Sequence, residues 1–124
     1  MRFETCEDPT AVVGGLDFIL KDLQLNEHLR ESARLAELVE SELEGVHTGE
    51  SRGVKQAGFM VLTTARRPAI LVELGYSTNP DDGRFLTTRS SQKAMATSIA
   101  DALVEYLLEY ERKTDATGGS GAGR

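Results

Sequence analysis

At 124 residues with 40% hydrophobic content, the chain can fold as one domain with a modest core, and its 27% charged content is ordinary for a globular protein. A net charge of -6, with the basic residues scattered and Arg66-Arg67 the tightest pair, argues against nucleic acid, whose binders present a basic face. Cys6 is the single cysteine, so neither an internal disulfide nor a cysteine-based zinc site can form, and no apolar run is long enough to span a membrane.

Met1 to Gly15 reads as a short strand or loop, with Phe3-Glu4-Thr5 extended and Asp8-Pro9 marking a turn. The first residues show neither the apolar core nor the small-residue cleavage site of a secretion signal. From Leu16 the period changes. Leu16, Ile19, Leu20 and Leu23 fall at i, i+3, i+4 and i+7, which predicts a helix with Asp17 in its first turn. A second stripe, Leu35, Leu38, Val39, Leu43 and Val46, predicts a helix from near Leu25 to near Gly45, either separate from the first or continuous with it. Glu37, Glu40, Glu42 and Glu44 lie off that stripe and read as a solvated face, not a metal site.

His47 to Arg52 is a polar loop carrying Gly49. Phe59-Met60-Val61-Leu62 and Ala69-Ile70-Leu71-Val72-Glu73-Leu74 are continuous apolar runs, the pattern of strands covered on both faces. Only Thr63 to Pro68 separate them, too few residues for a parallel crossover, so a direct pairing is antiparallel. Pro68 stands at a strand start, where a missing N–H does least harm. Asn79-Pro80-Asp81-Asp82-Gly83 predicts a turn into a short helix through Leu86, and Ser90 is a candidate N-cap for a last helix with the stripe Met95, Ile99, Ala102, Leu103, Tyr106, Leu107 and Tyr110. Beyond Lys113 the Gly-rich composition predicts a flexible tail.

Few residues offer chemistry. His28 and His47 stand in no metal-ligand spacing and read as surface histidines. Ser77, Thr78 and Cys6 have no histidine nearby in sequence, and neither a Gly-x-Ser-x-Gly elbow nor a Gly-rich phosphate loop occurs. Glu73 is different. It ends an apolar run and is followed two residues later by Gly75, so the chain can bend sharply after the carboxylate, as α/β folds do when they present a group at a strand's carboxyl end. An acidic group there must find a partner, face a cleft or shift its pKa. Arg52, Lys55 and Asn79 are possible neighbours of a catalytic Glu73; the alternative is a Glu that caps a helix or pairs with Arg66 or Arg67.

The segment Arg52-Gly-Val-Lys-Gln-Ala-Gly-Phe-Met-Val-Leu62, followed by Pro68-Ala-Ile-Leu-Val-Glu-Leu-Gly-Tyr-Ser-Thr-Asn-Pro80, resembles the C-terminal half of the zinc-dependent N-acetylmuramoyl-L-alanine amidases, the cell-wall amidases of the amidase family 3 type. The resemblance extends from Phe3 to the region of Tyr106. It implies an α/β fold, part of a three-layer sandwich with a mixed sheet, incomplete at the N-terminal side. It implies a C-terminal portion of an amidase-like catalytic domain over residues 1–112 and a flexible tail over 113–124. The activity implied is hydrolysis of the amide between N-acetylmuramic acid and L-alanine of the stem peptide, with peptidoglycan as partner and the periplasm or cell wall as location. The family's Val-Glu-x-Gly-aromatic glutamate, a catalytic acid/base beside the zinc, falls on Glu73. Its zinc ligands, two histidines and a glutamate, include a Gly-His-Gly-Gly-type loop and a Ser-x-His-x-Asn-type motif, and neither motif occurs here. The chain therefore resembles the family without its metal-binding half, and alone it is expected to bind no zinc and to be inactive. The alternative is a non-catalytic remnant, or a module that binds cell wall or protein.

Overall fold

The computed structural model describes residues 9–118, with side chains from Gly15 onward. Its helices are α1 (Pro9–Glu44), α2 (Met60–Thr63), α3 (Pro80–Thr87) and α4 (Arg89–Gly118). The two long helices pair, and α3 packs on α4. The pairing is antiparallel, because Arg34 meets Glu109 while the earlier Glu31 meets the later Lys113.

Both stripes of the pair come from the sequence pattern. Leu35, Leu38, Val39 and Leu43 of α1 are buried against Met95, Ala102 and Tyr106 of α4, with Val46, Phe85, Leu86 and Ile99 packed around them. Burying such side chains is the main favourable term, about 1.5–3 kcal/mol for each large apolar group. Polar groups brace the same seam. The Arg34 guanidinium donates two bonds to Glu109, Nε to Oε2 at 2.9 Å and an Nη to Oε1 at 2.7 Å, and Lys113 Nζ donates to the buried Glu31 at 2.9 Å. Burial, with the Glu31 carboxylate beside it, pushes the Tyr106 hydroxyl up to about 12.

The α/β sandwich with a mixed sheet is overturned: among the described residues there is no strand and no sheet, and the fold is helical. The physical reason lies in what a strand requires. Among the described residues two short apolar runs are the whole strand supply, and an isolated two-stranded pairing is marginal in water. Phe59–Leu62 takes its hydrogen bonds locally instead. Leu62 and Thr63 donate to the Phe59 carbonyl, making the single turn of α2, with Met60 and Val61 exposed.

The ends of the helices also differ from expectation. Residues Pro9 to Gly15, read as strand or loop, belong to α1, which is continuous to Glu44; Met1 to Asp8, with the Phe3-Glu4-Thr5 reading, lie outside the described residues. Pro9 suits a first helical position, where no N–H is needed. The predicted stripe of Leu16, Ile19, Leu20 and Leu23 is helical but exposed. Gly118, the last described residue of α4, lines the same cavity as Glu27, and the earlier turns of α1 have no described helix packed on them. Helix α4 opens at Arg89 with the Thr88 carbonyl accepting from Gln92, so its cap position lies two residues ahead of the expected Ser90, and it continues helically past Lys113 to Gly118.

Candidate functional site

Residues 70–74, between α2 and α3 in the chain, alternate in burial with a period of two. Ile70, Val72 and Leu74 are half-buried against the core, whereas Leu71 and Glu73 are exposed, the alternation of an extended chain lying on one face. The expected covering of both faces is absent. Between Ile70 and Glu73 the backbone makes no hydrogen bond among the described residues.

What holds this segment is a set of side chains at its two ends. At the start, the Ala69 N–H donates to Ser32 Oγ at 2.9 Å, while the Ser32 hydroxyl donates to the His28 carbonyl at 2.7 Å. At the far end, His47 Nε2 lies 2.7 Å from the Leu74 carbonyl, and the Tyr76 N–H donates to Asp82 Oδ2 at 2.9 Å. Gly75 sits between these contacts at φ +140°, a region that side chains rarely adopt. A Cβ there would also stand 3.1 Å from the Asp82 carboxyl carbon. The sharp bend expected after Glu73 is therefore real, and glycine is needed for it twice over.

Asn79 organises the next turn. Its Oδ1 accepts from the N–H groups of Asp81 (2.9 Å) and Asp82 (3.3 Å), capping α3, with Pro80 at the helix start. The cap is what aims Asp82 back at Gly75 and Tyr76. Arg52 reaches over Tyr76, its guanidinium 5.0 Å from the ring centroid and donating to the phenol oxygen at 3.2 Å. The Arg52 loop is in turn tied to α1, because Ser51 Oγ and the Gly53 N–H both donate to Glu40. Glu40, expected on a solvated face, is half-buried and holds this loop.

Glu73 itself is exposed and has no hydrogen-bond or ion-pair partner among the described residues. Neither Arg66 nor Arg67 pairs with it, and it caps no helix. Of the three possible neighbours, Arg52 serves Tyr76, Asn79 caps α3, and Lys55 is exposed. A cavity of about 410 Å³ lies elsewhere, between α1 and α4, lined by Glu27, Glu31, Tyr110 and Lys113 among others. His47 and Asp82 are the site residues that sequence reasoning missed. The signals available were small ones: a glycine two residues after His47, and the Asn-Pro cap just before Asp82.

Comparison with known proteins brings this site into a family. The profile of the N-acetylmuramoyl-L-alanine amidases matches residues 6–105. The amidase AmiA of Escherichia coli is 33% identical over 98 residues, covering 79% of this chain and 34% of the relative. The amidase AmiC of Neisseria meningitidis is 32% identical over 99 residues, 80% of this chain and 24% of the relative. The amidase LytC of Bacillus subtilis is 35% identical over 75 residues, 60% of this chain and 15% of the relative. The chain thus spans about a third of the length of the first of these relatives. No solved structure matches it.

Proposed function

The chain belongs to the N-acetylmuramoyl-L-alanine amidase family, and from that premise we propose that it is the part of a peptidoglycan hydrolase that carries the acid/base carboxylate, Glu73. The bond attacked is the amide between N-acetylmuramic acid and the L-alanine of the stem peptide, and the working protein acts in the periplasm or cell wall. The observation that supports this reading is the state of Glu73. It is exposed and unpartnered among the described residues, on a segment pinned at both ends. A carboxylate kept for stability would have a partner; one kept for proton transfer must be free to meet a substrate.

The proton is the part of the reaction that this chain supplies. Amide hydrolysis stalls unless the departing nitrogen is protonated, and a carboxyl group within hydrogen-bond reach of that nitrogen contributes about 10²–10⁴-fold. Glu73 gives that proton to the amine of L-alanine, or takes it first from the attacking water. Zinc is a separate matter. A catalytic zinc takes three protein ligands and keeps an open position. Among the described residues no three His, Cys, Asp or Glu side chains converge, so they do not fit such a site. His47 is committed to Leu74 and Gly49, and His28 lies on α1 apart from it. On this reading the metal ligands of the working amidase lie outside the described residues.

The test measures zinc and released stem peptide for this chain beside a longer polypeptide that adds the Gly-His-Gly-Gly and Ser-x-His-x-Asn motifs. The chain alone is expected to hold no stoichiometric zinc and release nothing, and the longer form to do both. One equivalent of zinc on the chain, dependent on His28 or His47, overturns the division. A longer form that binds zinc and peptidoglycan without cleaving it makes the chain a binding module.

A further inference from the structure

We infer that His47 is a positioning residue for Glu73: as the Nε2–H tautomer it ties the end of α1 to the Leu74 carbonyl, and with Asp82 it brackets the bend that presents the carboxylate. The inference rests on Glu73 being the acid/base group, and adds what aims it.

The tautomer follows from the two contacts of the ring. Gly49 donates its N–H to His47 Nδ1 at 2.9 Å, so Nδ1 carries a lone pair and the ring proton sits on Nε2. Nε2–H then donates to the Leu74 carbonyl at 2.7 Å. Two further groups fix the plane of the ring. Phe85 of α3 meets it edge-on, centroids 4.7 Å apart at 60°, and Gly49 lies so close that a Cβ there would stand 2.8 Å from the ring carbon Cε1. The opposite side of the bend is held by Asp82 Oδ2 on the Tyr76 N–H. Gly75 lies between the two contacts, and Glu73 immediately precedes them.

These anchors matter because the segment has no ladder of its own. With the backbone of residues 70–73 unbonded among the described residues, the direction of the Glu73 side chain is set by the burial of alternate side chains and by the clamps at its ends. A proton-transfer group displaced by about 1 Å can cost about 10²-fold in rate. His47 thus acts through the Leu74 carbonyl and does not itself touch substrate.

The test uses the 124-residue chain and nitrogen and backbone NMR, so it does not depend on turnover. Four proteins are compared: wild type, His47→Ala, His47→Gln and Asp82→Asn, each with its melting temperature. The wild-type ring is expected as the Nε2–H tautomer. Backbone order parameters at Glu73 to Gly75 are expected near the rigid value of about 0.85, and in His47→Ala below about 0.6, with α1 and α4 unchanged. His47→Gln, whose amide N–H reaches the same carbonyl, restores the order, and Asp82→Asn keeps it because an oxygen acceptor remains for Tyr76. An Nδ1–H tautomer, an undisturbed Glu73–Gly75 in His47→Ala, or a folded Gln variant with that segment disordered each overturns the inference. If His47→Ala does not fold, the tautomer and the Gln variant decide. A failed clamp leaves Glu73 available as acid/base, and an intact clamp with normal turnover for Glu73→Gln in the longer polypeptide refutes only the catalytic reading.

Discussion

Along α1 and α4 the backbone closes its hydrogen bonds within each helix, and the two helices bury a shared stripe; along residues 70–73 the backbone has no partner among the described residues, and one face alone is covered. The first region carries the stability and the second carries the family motif with Glu73. A helix satisfies its polar groups from within, so a stripe at the right period is enough to place it. An extended run must borrow partners, and here it borrows single side chains, Ser32, His47 and Asp82, in place of a neighbouring strand.

The contrast should show first in the core. Met95→Ala removes a side chain only 3% exposed at the helical seam and should cost about 2–5 kcal/mol in chemical denaturation, unfolding the whole chain as one unit. A change at Gly75 should cost less and act locally. Gly75→Ala forces a Cβ against Asp82 at φ +140°, worth about 1–3 kcal/mol, and amide exchange should accelerate around Tyr76 while α1 and α4 stay protected. Smaller again is the α3 cap: Asn79→Ala should cost about 0.5–2 kcal/mol, with faster exchange at Asp81 and Asp82.

The mildest effect is electrostatic. The Arg34 guanidinium holds the Glu109 carboxyl below its ordinary value, with partial burial acting the other way. A carboxyl depressed on folding contributes stability above its unfolded value and loses it as pH falls through the folded one. Melting temperature should therefore fall more steeply for wild type than for Glu109→Gln below about pH 4, near the ordinary range of Glu. Equal slopes would mean that the pair makes no net contribution.

Legibility divides along the same line. The stripes Leu35-Leu38-Val39-Leu43 and Met95-Ile99-Ala102-Tyr106 could be read directly, because each sets its own helical face. The Asn79-Pro80 cap and the bend at Gly75 could be read for a similar reason, since both are settled within a few residues. The sheet could not. Whether Ala69–Leu74 pairs depends on strands that the run does not contain, and Phe59–Leu62, equally apolar, closes a helical turn instead. The Leu16–Leu23 stripe showed helix correctly but not burial, which needs a facing element that the stripe itself does not contain. His47 shows the same limit, since its partner Leu74 lies 27 residues away and no spacing rule links them. Glu73 stood out by its place after an apolar run, yet its role came from the family motif and not from local pattern.

The central claim, that Glu73 is kept for chemistry and not for stability, is tested by Glu73→Gln in an amidase-length polypeptide, with turnover and melting temperature taken on one preparation. An exposed side chain with no partner among the described residues should leave stability within about 0.5 kcal/mol, while turnover falls roughly 10²–10⁴-fold with zinc and substrate binding retained. A variant that melts several degrees lower, yet turns over near-normally per folded molecule, contradicts the account and makes Glu73 a scaffold residue.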